Sequence, residues 1–125
     1  MSKIKGIFLA ENSKEPVVVE FEKEDTLKSL QYYVEGYIEH ATATSYGNND
    51  KRLRNLDIWC NEEGLLQNKQ PNIVLNPFEP DISLVVGNII VTGHRGECTA
   101  SVPDTKIEGV IEILKELMLK NKYRK

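Results

Sequence analysis

Residues 26–39, TLKSLQYYVEGYIE, join a short amphipathic helix to a strand through a single glycine. Leu27, Leu30 and Val34 recur at helical spacing and define one apolar face. Asp25 and Thr26 occupy the N-cap position, and Gly36 stands where a left-handed C-cap residue is wanted. The run from Tyr37 to Thr44 is rich in β-formers, so a strand follows at once. A helix and a strand linked this tightly must pack on each other, and the core is expected to form around them.

The flanking segments extend this unit into an α+β domain. Lys3 to Ala10 and Pro16 to Phe21 read as two strands of an antiparallel hairpin, with the polar turn Glu11–Pro16 between them. Ser45 to Arg52 reads as a polar surface loop. In the following strand, Leu53 to Asn61, Leu56, Ile58 and Cys60 alternate with Asp57 and Trp59. That alternation puts Trp59 on the face opposite the buried one. Asn61–Gly64 is a turn, and Gln67–Pro80, with three prolines, reads as a long loop across the core. Ile82 to Gly93 is strand, with Gly87-Asn88 as a bulge or tight turn, His94–Glu97 is a turn, and Cys98–Val102 is a short final strand.

A long helix from Thr105 to about Lys120 ends the pattern, with Glu108 at capping-box spacing from Thr105. Ile107, Val110, Ile111, Leu114, Leu117 and Met118 form its apolar stripe, and Ile113 and Leu119 fall outside it. So wide an apolar face exceeds what one sheet covers, and a homo-oligomer joined through this helix is expected. The sum is one domain over residues 1–125. It is expected to hold an antiparallel or mixed sheet of five to six strands, one short helix near the N-terminus and one long C-terminal helix.

Composition narrows the function classes. A chain of 125 residues with 40% hydrophobic and 28% charged residues can build a core without disulfides or metal. A net charge of −3 argues against binding polymeric nucleic acid. No apolar run approaches the roughly 18 residues of a membrane span, and Met1–Lys5 shows no apolar core of a signal peptide, so none is expected. A cytoplasmic protein with Cys60 and Cys98 reduced is expected.

Chemistry-bearing residues are sparse. Cys60, Cys98 and the histidines show no metal-binding spacing and no activated nucleophile, so neither a metal, a cofactor nor catalysis is expected. The paired carboxylates Glu62 and Glu63 suit a turn, or hydrogen bonds to ribose hydroxyls or an amine. Lys51, Arg52 and Arg54 cluster before a strand, and Arg95 lies between two glycines, where a guanidinium and backbone can meet a phosphate. Tyr37 and Trp59 have rings able either to stack on a base or to pack internally. No Walker loop or dinucleotide fingerprint is present.

The pattern Leu27-Lys28-Ser29-Leu30-Gln31, then Val34-Glu35-Gly36-Tyr37-Ile38-Glu39, together with Cys60-Asn61-Glu62-Glu63-Gly64, resembles a small uncharacterised domain family common in phages, prophages and plasmids of Gram-positive bacteria. A Pro- and Asn-bearing loop (Pro71 to Asn76) and an apolar strand (Val86 to Val91) continue the likeness to about Gly96. The family pattern has Gly-Gly where this chain has Glu35-Gly36. The resemblance implies a phage counter-defence context. By analogy with phage sponges, it implies a protein that binds and sequesters a nucleotide-derived signal, of the cyclic oligonucleotide or cyclic ADP-ribose type, without cleaving it. The expected ligand-binding set is Tyr37, Arg52, Arg54, Trp59, Asn61, Glu62, Asn76 and Arg95. The alternative is a protein that binds and modulates a host defence factor directly.

Overall fold

The computed structural model describes residues 2–11, 13, 15–40, 55–63, 71–74 and 84–122, the side chains of 71–74, 84–85 and 117–122 excepted. Strands β1 (Lys3–Leu9) and β2 (Val17–Glu22) form the hairpin read from the sequence, antiparallel from Lys3↔Glu22 to Phe8↔Val17. A 3₁₀ turn, Lys23–Asp25, leads into α1 (Thr26–Val34), and β3 (Ile38–His40) follows. Next come β4 (Leu56–Asn61), β5 (Pro71–Val74), β6 (Leu84–Val86), β7 (Ile89–Arg95) and β8 (Cys98–Ala100). A second 3₁₀ turn, Asp104–Lys106, opens α2 (Ile107–Lys122). The fold is α+β. Its main antiparallel sheet has six strands in the order β2-β1-β7-β4-β3 with β8 beside β7, and β5 and β6 pair separately.

The centre of the sheet is buried on both faces. Alternation sends Ile7, Leu9, Leu56, Ile58, Cys60, Ile89 and Val91 to one face, where Val110, Ile113 and Leu114 of α2 meet them. Ile4, Phe21 and Ile90 point the other way, against Leu30 and Val34 of α1. The unbroken run Ile89-Ile90-Val91 is fully buried because β7 is central and covered from both sides. Phe8 and Tyr33 seal the α1 layer, their rings 5.0 Å apart.

Several expectations need correction. Leu27 belongs to the exposed side of α1, which touches the sheet through Leu30, Tyr33 and Val34. Asp25 makes no side-chain capping hydrogen bond at α1, and Pro103 makes none at the turn that opens α2. Each helix is entered through a 3₁₀ turn, and the Thr26 hydroxyl donates backward to the Lys23 carbonyl instead. Pro71–Val74 is a strand, paired with β6 through a register shift between Pro71 and Ile73. Proline is tolerated as the first residue of a strand with a free edge. The turn read at Gly87-Asn88 is present, and Gly87, at φ 79°, separates β6 from β7, which lie in different sheets. His94 and Arg95 are the last residues of β7, and the turn is Gly96-Glu97.

The surplus apolar surface expected on the C-terminal helix is not found along Ile107–Glu116. Val110, Ile113 and Leu114 are buried, and Ile107 and Ile111 pack against the same cluster. The physical reason is that α2 packs on β5 as well as on the main sheet, so its face is covered from two directions. The side chains of Leu117, Met118 and Leu119 lie outside the described residues. The exposed large apolar residues that are described, Val17, Val18, Leu27, Tyr32 and Tyr37, all lie elsewhere.

The left-handed residue at the end of α1 is Glu35, at φ 66°, not Gly36. The Gly36 N–H donates to the Gln31 carbonyl at 3.1 Å, which closes a Schellman turn. Gly36 is needed for another reason: a Cβ there would stand 2.6 Å from Asn61 Nδ2. A side chain at positive φ carries a steric cost that glycine avoids. Glu35→Gly is therefore expected to raise stability by about 0.5–1 kcal/mol, read as a rise in the denaturation midpoint at unchanged m. A lowered midpoint would show that the contacts of the Glu35 side chain outweigh its strain.

Candidate functional site

The α1 layer is short. Nine helical residues reach about 14 Å, so α1 covers Ile4, Phe21 and Ile90 but not the far part of β4, β7 and β3 on the same face. What remains uncovered is polar. The register puts His40 opposite Trp59, Asp57 opposite Thr92 and His94 opposite Thr99. Both histidines of the chain converge on one carboxylate. His40 Nε2 lies 2.8 Å from Asp57 Oδ1, and His94 Nδ1 lies 3.1 Å from Asp57 Oδ2. The Asp57 side chain is only 15% exposed, against 40% and 38% for the imidazoles, so the carboxylate is the anchor and the rings face solvent.

Trp59 is half-buried beside this group. Its Nε1–H donates to Thr92 Oγ1 at 2.9 Å, and Thr92 is fully buried, so the indole is locked in orientation. The His40 ring meets it edge to face, with centroids 5.3 Å apart. Asp57, Trp59, His94, the turn Gly96-Glu97, and Cys98 and Thr99 of β8 line an open pocket of about 250 Å³. Among the described lining residues there is no lysine or arginine, while Asp57 and Glu97 are both carboxylates. Among the described residues, no three of His, Cys, Asp and Glu are placed to hold a metal ion.

The expected ligand-binding residues do not gather at one place. Trp59 is in this pocket. Tyr37, exposed, and Glu62 lie at the other end of β4, where the Glu62 N–H donates to the Tyr37 carbonyl at 2.8 Å. Asn61 is 4% exposed and turned inward. Its Nδ2 donates to the carbonyls of Val34 and Glu35, both at 3.1 Å, and its Oδ1 accepts from the Glu63 N–H at 2.7 Å. Asn61 thus satisfies the free carbonyls at the end of α1, a structural duty that leaves its amide no open side for a ligand. The two stretches on which the family resemblance rests, around Gly36 and around Asn61, therefore interlock in space. Arg95 is exposed, two residues beyond the Leu56↔Gly93 pair, while Glu62 is six residues the other way along β4. At about 3.3 Å per residue they are more than ~20 Å apart. Strand alternation also points Arg95 away from the face that carries His94. Arg52, Arg54 and Asn76, like Lys51, lie outside the described residues.

Sequence reasoning missed His40, Asp57 and His94. The three are separated by 17 and 37 positions, and only the β3-β4-β7 register brings them together. The available signal was the alternation in β4, which puts Asp57 on the same face as Trp59.

The thiols are opposites. Cys98 is exposed and free. Cys60 is buried, its Sγ 3.6 Å from the Glu39 carbonyl. Burial, reinforced by the Glu39 carboxylate, pushes its thiol up to about 11. At neutral pH a thiol reagent is expected to modify Cys98 quickly and Cys60 only on unfolding. Because the folded pKa is raised, the stability tied to Cys60 is fully present below the ordinary thiol range, about 8.5, and is lost as pH rises through about 11. Cys60→Ala is expected to flatten that alkaline loss by on the order of 2 kcal/mol, measured as the difference between the two stability–pH curves.

The fold and pocket define a small α+β domain with a half-open polar pocket, walled by one tryptophan, on the face that its short helix leaves bare. The chain matches the domain-of-unknown-function family DUF3846 over residues 4–117 and belongs to that family. No curated protein and no solved structure matches it. Among the described residues no helix is long and apolar enough to cross a membrane.

Proposed function

We propose that this domain binds a nucleotide-derived signal, of the cyclic oligonucleotide or cyclic ADP-ribose type, and withholds it without cleaving it, as a phage or prophage counter-defence protein. One observation carries the binding part: an orientation-locked indole, the His94 imidazole and the carboxylate that holds it line an open pocket, with the second imidazole set edge to face against the indole. Aromatic walls next to a few fixed polar groups are what a flat heteroaromatic ligand needs. The counter-defence context rests on the family resemblance.

Calorimetry with cyclic dinucleotides, cyclic trinucleotides and cyclic ADP-ribose isomers tests the reading, with the ligand recovered and analysed afterwards. Saturable micromolar binding with intact ligand is the expected result. An imidazole held on a carboxylate through Nδ1 also has the orientation of a general base. Recovery of hydrolysed ligand would make the domain an enzyme, and no binding across the panel would overturn the reading.

A second reading, a direct modulator of a host defence protein, draws on the exposed Leu27, Tyr32 and Tyr37 around α1. A stoichiometric protein partner from host lysate, with no small-molecule ligand, would favour it.

A further inference from the structure

We infer that the Trp59 pocket is a base subsite, not a phosphate subsite, and that it selects a purine carrying an exocyclic amino group. The inference rests on the nucleotide-binding reading above and assigns which part of the ligand enters. Asp57 sets the tautomers of both histidines. A carboxylate only accepts hydrogen bonds, so each neutral imidazole must keep its proton on the nitrogen that faces it. His94 then carries its proton on Nδ1 and leaves Nε2 as a bare acceptor, and His40 carries its proton on Nε2 and leaves Nδ1 bare. Of the two rings, His94 lines the pocket.

The rest of the lining agrees in sign. The Trp59 N–H is engaged by Thr92 and has nothing to donate. Asp57 and Glu97 add negative charge, and no described lining residue is a lysine or arginine. Among the described lining residues a phosphate would meet acceptors and like charge. An adenine amino group, which donates, would meet the bare His94 nitrogen with the ring against Trp59. Hypoxanthine, which presents a carbonyl oxygen at the same position, would set two acceptors face to face. Asp57 is a positioning residue here, since it acts through the His94 tautomer.

The probes are cyclic di-AMP and its inosine counterpart, titrated into the full chain. The adenine form is expected to bind about tenfold more tightly, the scale of one well-placed hydrogen bond. His94→Phe, which keeps a flat ring and removes the acceptor, is expected to bring the ratio near one. Asp57→Asn is expected to reduce the preference and to change the tautomers. These are read independently by ¹⁵N spectra of labelled histidine, in which the wild-type His94 shows a protonated Nδ1 and a bare Nε2. Equal affinity for the two probes, or a wild-type His94 protonated on Nε2, would overturn the inference and leave nucleotide binding intact. Failure of both probes to bind would overturn it together with the reading on which it rests.

Discussion

Asn61→Ala is expected to destabilise the domain by about 3 kcal/mol. The side chain is buried, and three backbone groups lose their partner at once: the carbonyls of Val34 and Glu35, and the N–H of Glu63. A buried polar group left unsatisfied costs about 1–3 kcal/mol, and some of these groups will recover water. Gly36→Ala attacks the same junction from the other side, because the new Cβ would stand 2.6 Å from Asn61 Nδ2. The two changes are therefore expected to be less than additive in a double-mutant cycle.

Asn61→Asp refines the test. It replaces a donor by a carboxylate aimed at two carbonyl oxygens, which favours the protonated acid in the folded state. A carboxyl raised in this way supports folding below its unfolded value, about 4, and that support is lost as pH rises through the folded value. The Asn61→Asp variant should thus come closest to wild type in acid and fall furthest behind near neutrality. A flat difference across pH would show that the Asn61 amide is not what holds the end of α1.

Leu114→Ala is expected to cost about 3 kcal/mol, within the range for a fully buried leucine. The cost should appear in the folding of the single chain. Leu114 packs with Ile113, Val110, Val102 and the inward face of β4 and β7, all in one protomer. Thermal denaturation of both wild type and variant is accordingly expected to be independent of protein concentration. A midpoint that rises with concentration, and a Leu114→Ala loss that shrinks as concentration increases, would place this face between subunits.

Local patterns revealed most of the elements and few of the contacts between them. The hairpin was legible because Val17, Val18 and Val19 follow a proline turn. The α1 helix was legible from its spacing, and β4 from the alternation of Leu56, Ile58 and Cys60. The C-terminal helix was legible as a helix, but what covers its face along Ile107–Glu116 was not. The segment that helps cover it, Pro71–Val74, is four residues long and begins with proline, so it reads as loop until its partner β6 is known. Glu35 was not legible as the left-handed residue because a glycine stands next to it and reads as the better candidate. The reason for that glycine is a distant side chain, Asn61. The candidate site was half legible. Trp59 was placed on the correct face of its strand, while Arg95 and Glu62 seemed able to join it only because sequence does not show that they end opposite sides of the sheet. His40, Asp57 and His94 carry no local signature, since a histidine next to a glutamate or an arginine is ordinary in a strand.

Trp59 is the chain's only tryptophan, so its fluorescence reports on the pocket with no competing signal. Titration of cyclic di-AMP while that emission is followed tests the central claim most directly. A saturable change in Trp59 emission, with the same midpoint as the calorimetric binding curve and with that midpoint moved about tenfold higher in His94→Phe, is the expected result. Calorimetric binding that leaves the Trp59 emission unmoved would put the ligand elsewhere on the domain and contradict this assignment of the pocket.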